Sequence, residues 1–172
     1  STGMSPISAD SIHESDADLV PGAVAAEWSS TPYGLVGLSG HGSAMRMLIG
    51  NRYTGGSGDL LHMSETSALD ENHPSFVILG ACSTAQPENE DNLARSLLEN
   101  GSIAIIAATR STIGEPGLTE FEDSNTPAGF VYGISLQLIE KSPTFGAALF
   151  DFKKSLDCPD SGKLKNVLAF NL

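Results

Sequence analysis

Three apolar runs punctuate this chain, and each stops abruptly at small or polar residues. Leu35-Val36-Gly37-Leu38 gives way to Ser39-Gly40-His41-Gly42, Phe76-Val77-Ile78-Leu79 to Gly80-Ala81-Cys82-Ser83, and Ile103-Ala104-Ile105-Ile106-Ala107-Ala108 to Thr109. The last run is nearly continuous, the pattern of a strand covered on both faces. Strands are expected over 34–39, 76–80 and 102–108. Between the last two, Glu88 to Asn100 reads as a helix. Glu88, Glu90 and Asp91 lie at its start, Leu93, Leu97 and Leu98 form the inward stripe, and Gly101 supplies the stop. Strand, helix and strand make a βαβ unit, whose crossover implies a parallel sheet.

The rest of the pattern is weaker. Residues 1–22 read as mostly irregular, with a short helix near Glu14 to Leu19, and Ala23 to Trp28 as a turn of helix resting Trp28 on the sheet. Asn51 to Gly58 reads as a surface loop near the histidine, and Asp59 to Asp70 is ambiguous, with Leu60, Leu61, Met63 and Leu69 offering a partial helical face. Ile113 to Pro127 is polar and turn-rich, and Ala128 to Glu140 returns to helical spacing. Ser142-Pro143 resembles a helix start, the hydroxyl as cap and proline in the first turn, for a helix ending near Leu156. A short strand near Val167 to Phe170 is expected to close the sheet.

With 172 residues, 40% of them hydrophobic, the chain is long enough for one substantial core. Residues 1–27 read as an irregular segment or processed end, and 28–172 as one domain. The Ser1-Thr2-Gly3 start and the Phe170-Asn171-Leu172 end read as cuts in a longer chain. Nine Lys and Arg against 21 Asp and Glu give a net charge of −12, with no basic stretch carrying interleaved aromatics, so nucleic acid is a poor partner. No apolar run reaches the roughly 20 residues that span a bilayer, so no membrane is expected, and the compartment stays open. The two cysteines, Cys82 and Cys158, have no paired spacing of a thiolate zinc site or a disulfide scaffold, although one bridge between them is left open.

The ends of the first two runs carry candidate chemistry. Two parallel strands ending side by side would set a base, His41, beside a nucleophile, Cys82, at the carboxyl edge where open α/β sheets bind ligands. Gly40 and Gly42 leave room around the histidine, and Gly80 and Ala81 remove bulk before the cysteine. The amides of Gly42 and Cys82 could then form an oxyanion hole. The bland alternative is a buried small cysteine after a strand, with glycines serving only tight strand ends. Ser39, Ser43 and Ser83 are weaker nucleophiles outside any GxSxG elbow, Cys158 reads as structural or incidental, and His13, His62 and His73 lack the neighbours of a metal site. Acids able to receive a basic side chain are Asp59, Glu65, Glu88, Glu90, Asp91 and Glu115. Glu88 and Asp91 are preferred because they follow Cys82 in the loop leading to the helix.

The segments Leu38-Ser39-Gly40-His41-Gly42-Ser43, Phe76 to Thr84, and Asn92 to Thr109 together resemble the gingipain-type cysteine peptidases of the caspase-like group. The resemblance implies a three-layer α/β/α sandwich with a mainly parallel sheet. It implies an endopeptidase in which His41 and Cys82 form the dyad, a thioester is the intermediate, and the Gly42 and Cys82 amides bind the oxyanion, with no metal or other cofactor. Its partner is a peptide or protein substrate, cut after Arg or Lys in the gingipain-like branch and after Asp in caspases. Such domains normally carry strands before the histidine strand, so either another chain or a removed segment of the same precursor supplies them, or this is a reduced member. Two rivals are a CHAT-type protease activated by a partner and a noncatalytic α/β interaction module.

Overall fold

A computed structural model describes residues 20–50, 57–69, 74–113, 126–141, 144–156 and 161–171. The chain opens with helix α1 (Ala23–Ser30) and strands β1 (Leu35–Ser39), β2 (His41–Ser43), β3 (Arg46–Gly50) and β4 (Ser57–His62). A 3-10 helix (Met63–Ala68), β5 (Ser75–Gly80), α2 (Leu93–Glu99) and β6 (Ser102–Ala108) follow. Helices α3 (Pro127–Glu140), α4 (Phe145–Ser155) and α5 (Ser161–Ala169) precede the short β7 (Phe170–Asn171). The result is a mixed α/β fold with two small sheets, one ordered β1-β5-β6-β7 and one ordered β2-β3-β4.

In the first sheet β1, β5 and β6 run parallel, and β7 closes antiparallel on Ala107 and Ala108 of β6. The alternation of β5 and β6 sorts side chains onto two cores. Val77, Leu79, Ile105 and Ala107 meet Ala25 and Trp28 of α1 and Leu93, Ala94 and Leu97 of α2. Ile78, Ile106 and Ala108 meet Phe130 and Ile134 of α3 and Phe145, Ala148, Leu149 and Phe152 of α4. Phe130 stacks on Phe170 with centroids 4.6 Å apart and meets Phe152 edge-on at 5.1 Å. Each such buried ring contributes roughly 1.5–3 kcal/mol through removal from water. Trp28 is buried, and its indole N–H donates to Ser75 Oγ at 3.2 Å, which ties α1 to the start of β5.

Several expectations need correcting. Arg46 to Gly50 and Ser57 to His62 form an antiparallel pair with β2 at its edge, so Ser57 and Gly58 of the expected loop are strand, as are Asp59 to His62 of the segment with a partial helical face. Met47, Leu60 and Leu61 are buried against the first core, and the sheet rather than a helix turns them inward. The expected helix over 88–100 starts at Leu93, because the Asn92 side chain caps the Arg95 amide at 2.9 Å. Glu88, Glu90 and Asp91 therefore precede the helix. Leu98 is half exposed, and Ala94 takes its inward place beside Leu93 and Leu97. The expected strand over 167–170 is mostly α5, with only Phe170 and Asn171 extended. Helix α4 is capped by the Thr144 hydroxyl, which accepts from the Ala147 amide at 3.2 Å. The expected helix over 14–19, residues 51–56 of the expected loop and the Ser142-Pro143 start lie outside the described residues, as do His13, His73, Glu115 and Cys158.

Candidate active site

The registration of β1 on β5 decides what faces what. Leu35 pairs with Phe76 and Ser39 with Gly80, a constant offset of 41 residues, which is also the separation of His41 from Cys82. The last rung is closed by the Gly40 amide, which donates to the Gly80 carbonyl at 3.1 Å. His41 then opens β2 and is exposed, and Cys82 ends the β5 run as a half-buried free thiol. Gly42 packs directly on the cysteine backbone. A β-carbon at Gly42 would stand 2.7 Å from Ala81 Cβ and 2.8 Å from the Cys82 carbonyl oxygen, so only glycine allows this approach.

The rest of the local backbone holds these two segments. The β2–β3 turn is fixed from the far side, where the Ala44 carbonyl accepts the Leu93 amide at 2.7 Å and the Met45 carbonyl accepts the Met63 amide at 2.9 Å. After Cys82 the chain turns sharply, with Ser83 in the left-handed region at φ 56°. Its amide donates to the Arg110 carbonyl at 3.1 Å, so the segment after β6 lies against the cysteine turn. Gly80 is equally confined, since a β-carbon there would lie 2.6 Å from both the Pro127 carbonyl oxygen and Val131 Cγ2 at the start of α3.

The Cys82 sulfur makes its hydrogen bonds with Thr112. The Thr112 amide donates to Sγ at 3.3 Å, the Thr112 hydroxyl lies 3.3 Å away, and the Thr112 carbonyl is 3.6 Å away as an acceptor for the thiol. The His41 imidazole makes no hydrogen bond among the described residues, to the thiol or otherwise. The structure thus brings the Gly42 backbone to Cys82, and the thiol engages Thr112 rather than the histidine.

The acidic candidates are dispersed. Glu88 is exposed and grips Arg110 with both carboxylate oxygens, one contact at 3.0 Å. Its carboxyl is held below the usual carboxylate value, first by a hydrogen bond from its own backbone amide, which desolvation opposes, and then by the hydrogen bond and charge of the Arg110 guanidinium. Asp91 lines a shallow groove with Met63, Glu90, Asn92, Arg95, Ser96 and Glu99, and neither His41 nor Cys82 borders it. Asp59 pairs with Arg46 at 3.2 Å across β3 and β4. Glu65 accepts the His62 amide at 2.7 Å in a capping box, which also gives His62 a structural role, its ring accepting from the Ser64 amide. No group of three or more His, Cys, Asp or Glu able to hold a metal ion occurs among the described residues, and none of their helices is long and apolar enough to cross a membrane.

No protein-family model matches the chain, and no curated protein matches it. The site is therefore argued from its own geometry. Sequence reasoning missed Arg110 and Thr112, although the signal was present: Thr109 to Thr112 follow the third apolar run, whose strand ends at the same edge as the other two.

Proposed function

We propose that this chain is the catalytic domain of a cysteine endopeptidase with a caspase-like, three-layer arrangement around the β1-β5-β6 sheet. The observation that carries this reading is the strand register: His41 and Cys82 each lie two residues beyond the last paired positions, Ser39 and Gly80, of adjacent parallel strands, with Gly42 against the Cys82 backbone. Helices on both faces of that sheet and the strained turn at Ser83 add support, since left-handed non-glycine residues concentrate at functional sites.

In the proposed reaction His41 takes the thiol proton as the Cys82 sulfur attacks the peptide carbonyl carbon. The carbonyl oxygen becomes an oxyanion facing the amides of Gly42 and Cys82. Collapse breaks the C–N bond, His41 returns the proton to the departing amine, and a thioester remains. Water, deprotonated by His41, then attacks the thioester and releases the acid and the thiol. For this the imidazole must turn onto the sulfur when substrate binds, as catalytic hydrogen bonds often tighten only in the complex. Cleavage after Arg or Lys would have a basic substrate side chain replace Arg110 on Glu88.

The contacts of the thiol with Thr112 rather than His41 favour a second reading, the noncatalytic interaction module. A positional library of fluorogenic peptides, hydrolysed by the native chain, Cys82→Ala and His41→Ala with mass spectrometry of each cut, separates the two. Cleavage lost in both variants is the expected result. No cleavage by the folded native chain, with or without removal of its N-terminal segment, would overturn the peptidase reading.

A further inference from the structure

We propose that Thr112 supplies the hydrogen-bond donors that receive negative charge on the Cys82 sulfur, and that the buried Asn166 of α5 is the positioning residue that fixes them. The inference rests on Cys82 being the nucleophile. Around the sulfur the groups are unequal. A neutral thiol can donate to the Thr112 hydroxyl at 3.3 Å or to the Thr112 carbonyl at 3.6 Å, whereas a charged sulfur can accept from the Thr112 amide and hydroxyl together, both at 3.3 Å. The amide can only donate and the hydroxyl can turn to donate, and hydrogen bonds to a charged partner are roughly twice as strong as neutral ones.

Thr112 belongs to no helix or strand, so its peptide needs another anchor. Asn166 provides it from 53 residues away: its carboxamide oxygen accepts the Ile113 amide at 2.7 Å, and its carboxamide nitrogen donates to the Ile113 carbonyl at 2.8 Å. Asn166 is only 1% exposed, and a buried amide is tolerated when its polar atoms are paired. Both ends of one carboxamide thus clamp the residue next to Thr112. Since the Arg110 carbonyl also holds the Ser83 amide, the 110–113 segment touches the nucleophile turn at two points.

The test is alkylation of Cys82 by iodoacetamide across a pH series, followed by peptide mapping so that Cys82 and Cys158 are read separately. The full chain, Thr112→Val, Thr112→Ser and Asn166→Ala are compared after a thermal melt confirms folding. Thr112→Val is expected to slow alkylation at neutral pH about tenfold, the size of one charge-assisted hydrogen bond. The lost rate should return as pH rises, and Thr112→Ser, which keeps the hydroxyl, should behave as native. Asn166→Ala should move in the same direction as Thr112→Val. If it fails to fold, Thr112→Val alone decides. A folded Thr112→Val chain that alkylates at the native rate or faster overturns the inference. Alkylation needs no peptide, so that result with hydrolysis intact is distinct from a native chain that hydrolyses nothing, which would instead remove the peptidase reading.

Discussion

Gly42 and Ala81 approach so closely that a β-carbon on the glycine would fall 2.7 Å from the β-carbon of the alanine. This contact is what keeps the segment after His41 against the segment before Cys82. Gly42→Ala is therefore expected to push the two apart and to lower peptide hydrolysis about 100-fold, the usual effect of a shift near 1 Å at reacting groups. Gly34→Ala is the control, because nothing lies within 4 Å of a β-carbon there. Turnover measured on both variants decides the point, and native turnover in Gly42→Ala would show that the approach is not needed for chemistry.

Gly80 stands between the nucleophile strand and the first turn of α3. Adding a methyl group would set it 2.6 Å from Val131 Cγ2 and from the backbone of Pro127, which cannot move without unseating the helix. Gly80→Ala should cost about 1–3 kcal/mol by overpacking. Urea denaturation of the two chains measures it, and an unchanged midpoint would mean that α3 gives way freely.

Thr84 is fully buried, and its hydroxyl has no hydrogen-bond partner among the described residues. An unpaired buried hydroxyl costs about 1–3 kcal/mol relative to a paired one. Thr84→Val keeps the shape and removes the polar atom, and its backbone carbonyl still accepts the Ala94 amide. The variant should be at least as stable as the native chain. A lower melting temperature would reveal a partner for the hydroxyl.

The Glu88 carboxyl is held below its ordinary value of 4.5 by its own amide and by Arg110. A carboxylate with a lowered folded value stabilises the fold above its unfolded value, and the gain is lost as pH falls through the folded one. Glu88→Gln should therefore melt below the native chain at neutral pH, by a small amount because the pair is exposed. The two melting curves should converge as the pH drops from about 4.5 through the lower folded value. A difference that persists unchanged in acid would trace to something other than this ion pair.

Much of the scaffold was legible in the sequence because it rests on local signals. The runs at Leu35, Phe76 and Ile103 are apolar enough to declare strands, and α3 and the body of α4 follow from helical spacing. What escaped depends on tertiary context. Met47 and Leu61 mark a second sheet only when their cross-strand partners are known, because short segments with both polar and apolar residues fit strand or helix alike. Val167 to Ala169 carry apolar residues suited to either form, and α5 claims them, leaving Phe170 to reach Ala108 as a strand. The acids before α2 obey helix preference, yet Asn92 makes the cap and excludes them. At the site, the 41-residue offset of the β1–β5 register was implicit in the spacing of the two apolar runs, whereas Thr112 and Asn166 converge only through contacts between distant segments.

Among the described residues, β1 forms the outer edge of the β1-β5-β6-β7 sheet, and β5 lies inside it. The two halves of the proposed dyad are thus unequally anchored. Val77, Ile78 and Leu79 are wholly enclosed beneath the cysteine, whereas Gly37 and Ser39 beneath the histidine face solvent. Cys82 follows an enclosed strand, whereas His41 follows an edge strand and is held through the pairing of β2 with β3. Loss of the β1–β5 pairing would begin with the peeling of an edge strand, a far smaller opening than unfolding the core. A strand added along the outer side of β1 would hold the β1–β5 pairing shut from outside the sheet.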